Sequence, residues 1–106
     1  MSTVISTGDL DIESYLNQEK TLLVDFWAPN CAPCRMLEPN LASIADSFSP
    51  RVQVLKVNVN ENPRTSARFQ VRSLPTLIFI KDGKVRSQLI GAVNQKKIEA
   101  VLQDIV

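Results

Sequence analysis

A compact apolar run of strand length, Thr21–Trp27, is followed after three residues by a long segment with helical periodicity. Within Cys31–Phe48, residues recurring at steps of three and four form one face of an α-helix; they are Cys34, Leu37, Leu41, Ile44, Ala45 and Phe48. Pro39 lies inside this segment, where it removes a main-chain hydrogen bond and should kink the helix axis. A strand that leads directly into an amphipathic helix indicates a fold in which helices pack on a sheet.

The other strands are predicted from short alternating or apolar segments. Asp82-Gly83 separates two of them and is a residue pair that favours a tight β-hairpin. The predicted strands besides Thr21–Trp27 are Thr3–Ser6, Val52–Asn60, Thr76–Ile80 and Lys84–Ile90.

The other helices are predicted from start signals and helical spacing. Gly8 and Asp9 open one helix, whose apolar face carries Ile12, Tyr15 and Leu16. A short helix, Asn62–Phe69, has Pro63 at its first position. Asn94 can cap a final helix with the apolar residues Ile98, Val101, Leu102 and Ile105. The order β-α-β-α-β-α-β-β-α predicts an α/β fold.

Length and composition exclude several classes of protein. Residues 1–106 fit a single domain, which can bury a sufficient core without disulfides or metal. A formal net charge of +1 does not favour binding to nucleic acid or to acidic membranes. No apolar run approaches the ~20 residues of a membrane span, and the N-terminal stretch lacks the features of a signal peptide. The chain is therefore expected to be a cytoplasmic protein.

The chain contains no histidine, which excludes Cys–His and Ser–His nucleophile pairs. Proton transfer near neutral pH must therefore use a carboxylate, a lysine, a thiol, a tyrosine or water. The only two cysteines lie together in the segment NCAPC, as Cys31 and Cys34.

Four interpretations of Cys31 and Cys34 are open. A zinc site would have to be completed by carboxylates, and no spacing favours one. A structural disulfide across so short a loop would contribute only about 2 kcal/mol, and two buried, inert thiols are the third interpretation. The fourth is a redox-active dithiol.

The position of the cysteine pair favours the redox-active dithiol. Cys31 lies where a strand gives way to a helix, so unpaired amides and the helix dipole can stabilise its thiolate. Residues three apart in a helix have Cα atoms about 5 Å apart, which is within the range that a disulfide tolerates. The sulfur of Cys31 should be accessible, and that of Cys34 should lie one turn inside.

Several motifs together resemble the thioredoxin family. VDFWAPNCAPCRMLEP is similar to the family signature, whose usual core is WCGPC, and SLPTLIFIKDGK resembles the cis-proline strand and its hairpin. LIGA, followed by an amphipathic helix, also matches, so the resemblance covers essentially all 106 residues. It implies a central five-stranded mixed sheet flanked by four helices, and thiol–disulfide exchange with protein substrates.

The resemblance implies a role for three residues of the signature. Cys31 would be the attacking thiolate, Cys34 the resolving thiol, and Asp25 the buried carboxylate that helps to deprotonate Cys34. An acid within LLVDFW is costly unless it has a task or a partner, and desolvation should raise its pKa. A salt bridge to Lys56 is the alternative explanation of Asp25.

Further residues are assigned to the site by the same resemblance. Pro75 would be the cis-proline that faces the dithiol, and the backbone of Leu74 would pair with an extended substrate segment. Gly91 and Ala92 would complete a small apolar platform, although an ordinary turn would have the same sequence. Trp27 is expected to pack beside the dithiol, as a plain core tryptophan also could.

The chain departs from the family pattern at three positions. Asn30 stands where Trp is usual, Ala32 where Gly is usual, and Asn60 where Asp is common. The missing indole removes a flat contact surface next to Cys31, and Ala32 adds a methyl group at the attack site. Pro33, which accompanies strongly reducing pairs in this family, is retained.

The sequence therefore predicts an atypical, monomeric protein-disulfide reductase with no cofactor other than its dithiol. It would carry electrons from an NADPH- or ferredoxin-linked reductase to oxidised proteins in cellular redox homeostasis, without nucleic-acid or membrane partners. Two alternatives stay open: a non-enzymatic interaction module with the same fold, and a disulfide oxidant or isomerase of narrow specificity.

Overall fold

The computed structural model describes residues 3–106, which form five strands and four helices in the predicted order. The strands are β1 (Val4–Ser6), β2 (Thr21–Trp27), β3 (Val52–Asn58), β4 (Thr76–Lys81) and β5 (Lys84–Ile90). The helices are α1 (Ile12–Leu16), α2 (Ala32–Phe48), α3 (Pro63–Arg68) and α4 (Gln95–Ile105).

The strands form one mixed sheet in the order β1-β3-β2-β4-β5. β3 pairs in parallel with both β1 and β2, whereas β4 pairs antiparallel with β2 and with β5. The predicted five-stranded α/β fold is confirmed. β2 lies at the centre of the sheet, so the segment that follows it emerges at the middle of the sheet edge.

Two apolar clusters cover the two faces of the sheet. Alternate residues of β2 point to opposite faces, so Leu23 belongs to one cluster and Val24 to the other. The Leu23 cluster packs against α2 and α4, through Leu37, Leu41, Ile44, Ala45, Phe48, Ile98, Leu102 and Ile105. The Val24 cluster packs against α1, through Ile12 and Leu16.

Local turn and capping signals have the predicted consequences. Asp82 and Gly83 both have positive φ, 53° and 76°, which is the conformation of a type I′ hairpin turn. The Asn94 side chain accepts a 2.9 Å hydrogen bond from the Lys97 N–H and caps α4. α2 continues through Pro39 to Phe48, and the kink expected at Pro39 stays a prediction.

Several element ends differ from the predictions. β1 begins at Val4 rather than Thr3. β3 ends at Asn58 rather than Asn60, because the Asn58 side chain accepts a 2.9 Å hydrogen bond from the Asn60 N–H and forms a turn there. β4 extends one residue further, to Lys81, and α3 is one residue shorter at each end than predicted.

The expected start of α1 at Gly8 and Asp9 is wrong. The helix begins at Ile12, after a turn in which the Gly8 carbonyl accepts from the Ile12 N–H at 2.9 Å. The Asp9 carboxylate instead caps the distant helix α3, accepting from the Thr65 N–H at 2.7 Å and from the Thr65 hydroxyl at 2.6 Å. These bonds lower the pKa of Asp9 from its ordinary value.

Within residues 3–106, no helix has both the length and the apolar character needed to cross a bilayer.

Candidate active site

Cys31 and Cys34 are joined by a disulfide at the start of α2, with their Cα atoms 5.2 Å apart. Cys31 is the N-cap residue in an extended conformation, and helical geometry begins at Ala32. Pro33 occupies the first turn, where its missing N–H has no consequence for the helix. The cysteine spacing thus places one sulfur at the helix end and the other one turn further along.

The two sulfurs differ in their surroundings. Cys31 is partly exposed, whereas Cys34 is only 2% exposed and lies on the inner face of α2 with Leu37 and Leu41. The Cys34 N–H donates a 3.2 Å hydrogen bond to the Sγ of Cys31. The interpretation as two inert, buried thiols is wrong, because the cysteines are bonded to each other and one of them reaches the surface.

The loop before the disulfide is held by two hydrogen bonds from residues that follow it. The Cys31 N–H donates to the Ala28 carbonyl at 3.2 Å. The Arg35 guanidinium donates to the Pro29 carbonyl at 2.7 Å. Sequence reasoning missed Arg35, although a long donor side chain in the first turn of a helix is well placed to bond the preceding loop.

Asp25 is buried in the middle of β2, on the face that packs against α2. It shares that face with Leu23 because the two are separated by one residue. Its side chain is 0% exposed, and neither carboxylate oxygen has a hydrogen-bond partner among the residues that the structure describes. Desolvation therefore raises the pKa of Asp25 to about 7, with Lys56 lowering it and Glu38 raising it.

The alternative of a salt bridge between Asp25 and Lys56 is wrong, although the two are register partners on neighbouring strands. The Lys56 ammonium lies 3.6 Å from Oε1 of Glu38 on α2 and 4.6 Å from the centroid of the Trp27 ring. Glu38 was missed by sequence reasoning. The signal that could have identified it is its spacing: it lies four residues after Cys34, which is one helical turn.

A second segment meets the sheet at the end where β2 leads to the disulfide. Thr76, the first residue of β4, is the register partner of Phe26 near the end of β2. The Leu74–Pro75 peptide bond is cis, as the resemblance implied. The Pro75 carbonyl accepts a 2.9 Å hydrogen bond from the N–H of Gly91, so the start of β4 and the turn after β5 are bonded to each other.

The remaining predicted residues differ in exposure. Asn30, Ala32 and Ala92 are exposed, Leu74 and Gly91 are partly buried, and Pro75 is buried. Leu74 packs against the apolar cluster on the α1 face. Trp27 is partly buried under the Lys56 ammonium, and its expected packing beside the dithiol stays a prediction.

Potential metal ligands are not gathered in this part of the molecule. Throughout residues 3–106, no group of three or more His, Cys, Asp or Glu side chains lies close enough together to hold an ion.

The arrangement combines three elements of thiol–disulfide chemistry. One accessible sulfur receives an N–H at a helix end, which favours a thiolate there. A second, buried sulfur is already at bonding distance from the first. A carboxyl group whose pKa lies near neutral is buried on the strand beneath the same helix.

Comparison with known proteins agrees with this chemistry. The family model described as Thioredoxin matches residues 3–104. The chain is 42% identical over 99 residues to "Thioredoxin" of Haemophilus influenzae, an alignment that covers 92% of each chain. It is 42% identical over 98 residues to "Thioredoxin" of Alicyclobacillus acidocaldarius, covering 92% of this chain and 93% of the relative. It is 40% identical over 91 residues to "Thioredoxin" of a Synechocystis species, covering 86% and 85%.

Proposed function

This chain belongs to the thioredoxin family and is a thiol–disulfide oxidoreductase that reduces protein disulfides, and from that premise we propose a role for each residue of its site. The observation that carries the proposal is the pairing of a partly exposed Cys31 with a buried Cys34 across one helical turn. The exposed sulfur can reach a substrate, and the buried sulfur can reach only its neighbour.

The first step is attack by the Cys31 thiolate on a substrate disulfide. A bond forms between Cys31 Sγ and one substrate sulfur, the substrate S–S bond breaks, and the second substrate sulfur leaves as a thiolate. Cys34 then loses its proton and attacks Cys31 Sγ, which breaks the mixed disulfide and releases the other substrate sulfur. The substrate gains two electrons, and the protein ends with the Cys31–Cys34 disulfide.

Asp25 accepts the proton of Cys34 in the second step. A carboxylate with an ordinary pKa would be too weak a base near neutral pH, whereas a pKa of about 7 matches the task. Its location on the strand beneath α2, whose inner face carries Cys34, supports this role. Lys56 and Trp27 support the site, because the Trp27 ring contacts the Lys56 ammonium and holds this positive charge beside it.

The substrate segment lies across the exposed residues around Cys31. The Leu74 main chain pairs with an extended segment, as in other cases of strand addition, and Pro75 forms the floor of the contact. Gly91 and Ala92 form the neighbouring platform, consistent with the hydrogen bond that joins Gly91 to Pro75. Asn30 and Ala32 flank the attacked sulfur and adjust which substrates fit.

Family membership implies disulfide-bearing substrates and a reductase partner. We propose that the partner is NADPH- or ferredoxin-linked, that the protein is a monomer in the cytoplasm, and that its dithiol is the only redox group it needs. Mixing the oxidised protein with each class of reductase and following loss of the disulfide identifies the electron donor.

The assignment of the two cysteines is tested by trapping. Cys34→Ser keeps the attacking thiol but cannot resolve the mixed disulfide, so it should accumulate covalent adducts with oxidised proteins. Cys31→Ser is the matched control and should form none. Adducts of Cys31→Ser with the same targets would reverse the two roles.

The role of Asp25 is tested by turnover. Asp25→Asn should keep the fold and slow release of the mixed disulfide, because the proton acceptor for Cys34 is lost. The rate of insulin reduction is measured between pH 6 and 8, and a rate that the substitution leaves unchanged would mean that Asp25 has only a structural role.

The same assay on the unaltered protein tests the alternative of a non-enzymatic interaction module. A redox titration tests the alternative of a disulfide oxidant.

A further inference from the structure

The ammonium of Lys56 is paired with a carboxylate other than the one that stands opposite it in the sheet. Lys56 and Asp25 are register partners on adjacent parallel strands. Asp25 shares the α2-facing side of the sheet with Leu23, and Lys56 shares it with Val54. The ammonium nevertheless lies against the Glu38 carboxylate and the Trp27 ring, while both oxygens of Asp25 have no hydrogen-bond partner among residues 3–106.

Two carboxylates thus compete for one ammonium. Glu38 is half exposed and keeps its solvation, whereas Asp25 is fully buried. A buried carboxylate without a partner is costly, so an unrestrained lysine opposite it would be drawn toward it. The ring of Trp27 adds a cation–π contact on the side of Glu38.

We propose that Glu38 is a positioning residue: it holds the Lys56 ammonium away from the Asp25 carboxyl and so leaves Asp25 free to accept a proton. The negative charge of Glu38 also favours the protonated form of Asp25, because it disfavours a second negative charge beneath α2. The inference deepens the proposed function, because it rests on Asp25 as the proton acceptor for Cys34.

Among residues 3–106, the charged groups that act on the pKa of Asp25 are Lys56 and Glu38. β3 contributes Lys56, and α2 contributes Glu38 and Cys34, whose sulfur is in the disulfide. The β4 register partner Leu77 is apolar, and α4 contributes apolar residues to the core on this face, namely Ile98, Val101, Leu102 and Ile105. The directions of the effects on the pKa of Asp25 agree with the geometry, since Lys56 lowers it and Glu38 raises it.

The test measures the pKa of Asp25 in the oxidised protein, where the cysteines do not titrate. The carboxyl ¹³C shift of Asp25 is followed by NMR against pH. Glu38→Gln keeps the shape of the side chain and removes its charge, so the pKa of Asp25 should fall by about 0.5 to 1. Glu19→Gln is the matched control. It also removes one negative charge, but Glu19 precedes the first residue of β2, at the end of the strand far from the disulfide, so the titration of Asp25 should not change.

A double substitution separates positioning from simple charge. Lys56→Met should raise the pKa of Asp25, because the remaining opposite charge is gone. If Glu38 acts through Lys56, adding Glu38→Gln to Lys56→Met should change the pKa of Asp25 less than Glu38→Gln alone does. An effect of equal size in both backgrounds would overturn the positioning role, as would an unchanged or higher pKa in Glu38→Gln.

Failure of the positioning role of Glu38 can be distinguished from failure of Asp25 as the proton acceptor. The pH at which mixed-disulfide release reaches half its maximum should fall in Glu38→Gln together with the pKa of Asp25. A fall in the pKa without any change in the rate profile would support Glu38 as the residue that controls Asp25 and would contradict Asp25 as the proton acceptor.

Discussion

The main-chain N–H of Cys34 is directed at the sulfur of Cys31, 3.2 Å away. The resolving cysteine therefore supplies, from its backbone, a donor to the attacking cysteine. Because the same N–H has no intrahelical acceptor at a helix start, it is available to a thiolate once the disulfide is reduced. Two residues that appear chemically equivalent in the motif are made unequal by the start of one helix.

Limited alkylation of the reduced protein at neutral pH should therefore modify Cys31 before Cys34. The exposed sulfur is stabilised as a thiolate by the helix end, while Cys34 is only 2% exposed, and we expect a rate difference on the order of 10-fold or more. Peptide mass mapping at short times measures it. Denatured protein is the control, in which the two rates should converge; earlier labelling of Cys34 in the folded protein would contradict the assignment.

Asp25→Asn should stabilise the protein at high pH and not at low pH. The pKa of Asp25 is raised from 3.8 to about 7 by burial, so the folded state holds a proton that the unfolded state releases between these values. The free energy of unfolding thus falls as pH rises through this window, by about 4 kcal/mol in total. Asparagine does not ionise, so the substitution should recover most of this loss at pH 8 and little at pH 4.

Urea unfolding of the oxidised protein at the two pH values measures the difference. Asp104→Asn, at an exposed position on α4, is the matched control and should show no such dependence on pH. A gain in stability that is the same at pH 4 and pH 8 would mean that removal of the charge is not its cause.

The helices, strands and turns were predictable because their signals are local, whereas the five-stranded sheet was implied by the family resemblance. Asp82-Gly83 has the positive φ values that its residue types favour, and Asn94 caps the helix that it precedes. The approach of Cys31 and Cys34 follows from helical geometry alone. Each of these features depends on residues that are close in the sequence.

What could not be predicted depends on contacts between distant segments. Asp9 has the sequence position of a helix start, but its carboxylate bonds Thr65, and no local pattern indicates that partner. The sequence suggests a salt bridge between Asp25 and Lys56, but the ammonium of Lys56 pairs with Glu38 on α2. The choice of Glu38 is decided by how α2 packs over the sheet.

Asn30→Trp should speed reduction of a generic substrate such as insulin several-fold and change the redox potential little. The loop that carries residue 30 is fixed by the bonds to Ala28 and Pro29, so an exposed side chain can change there without moving the disulfide. An indole adds flat apolar contact area, and such aromatics often dominate interface energies.

Both quantities are measured on the same variant, with Asn30→Ala as the control that removes the amide without adding an aromatic ring. We expect Cys31 of the unaltered protein to attack generic substrates slowly, so Asn30→Trp should increase the rate of mixed-disulfide formation. A large change in potential with no gain in rate would assign residue 30 to the dithiol and not to the docking surface.

Gly8→Ala should destabilise the protein by about 1 to 3 kcal/mol. A Cβ at this position would overlap the side-chain amide of Asn62. That amide accepts from the Asp9 N–H and donates to the Asn58 carbonyl, both at 2.9 Å, so it cannot move without losing both bonds. Thermal or urea unfolding measures the effect. In an Asn62→Ala background the same substitution should cost much less, and an equal cost would point to another cause.

The placement of β3 between β1 and β2 has a consequence for the order in which the chain assembles. Its parallel pairings join segments far apart in the sequence, such as Val4 with Val54, whereas Lys81 pairs with Lys84 across a two-residue turn. Bringing distant segments together costs chain entropy before their contacts form. Refolding should therefore protect the β4–β5 amides from hydrogen exchange first and those of β1 and β3 last, as pulse labelling can measure. The half of the sheet that carries Lys56 would then be the last to close around Asp25.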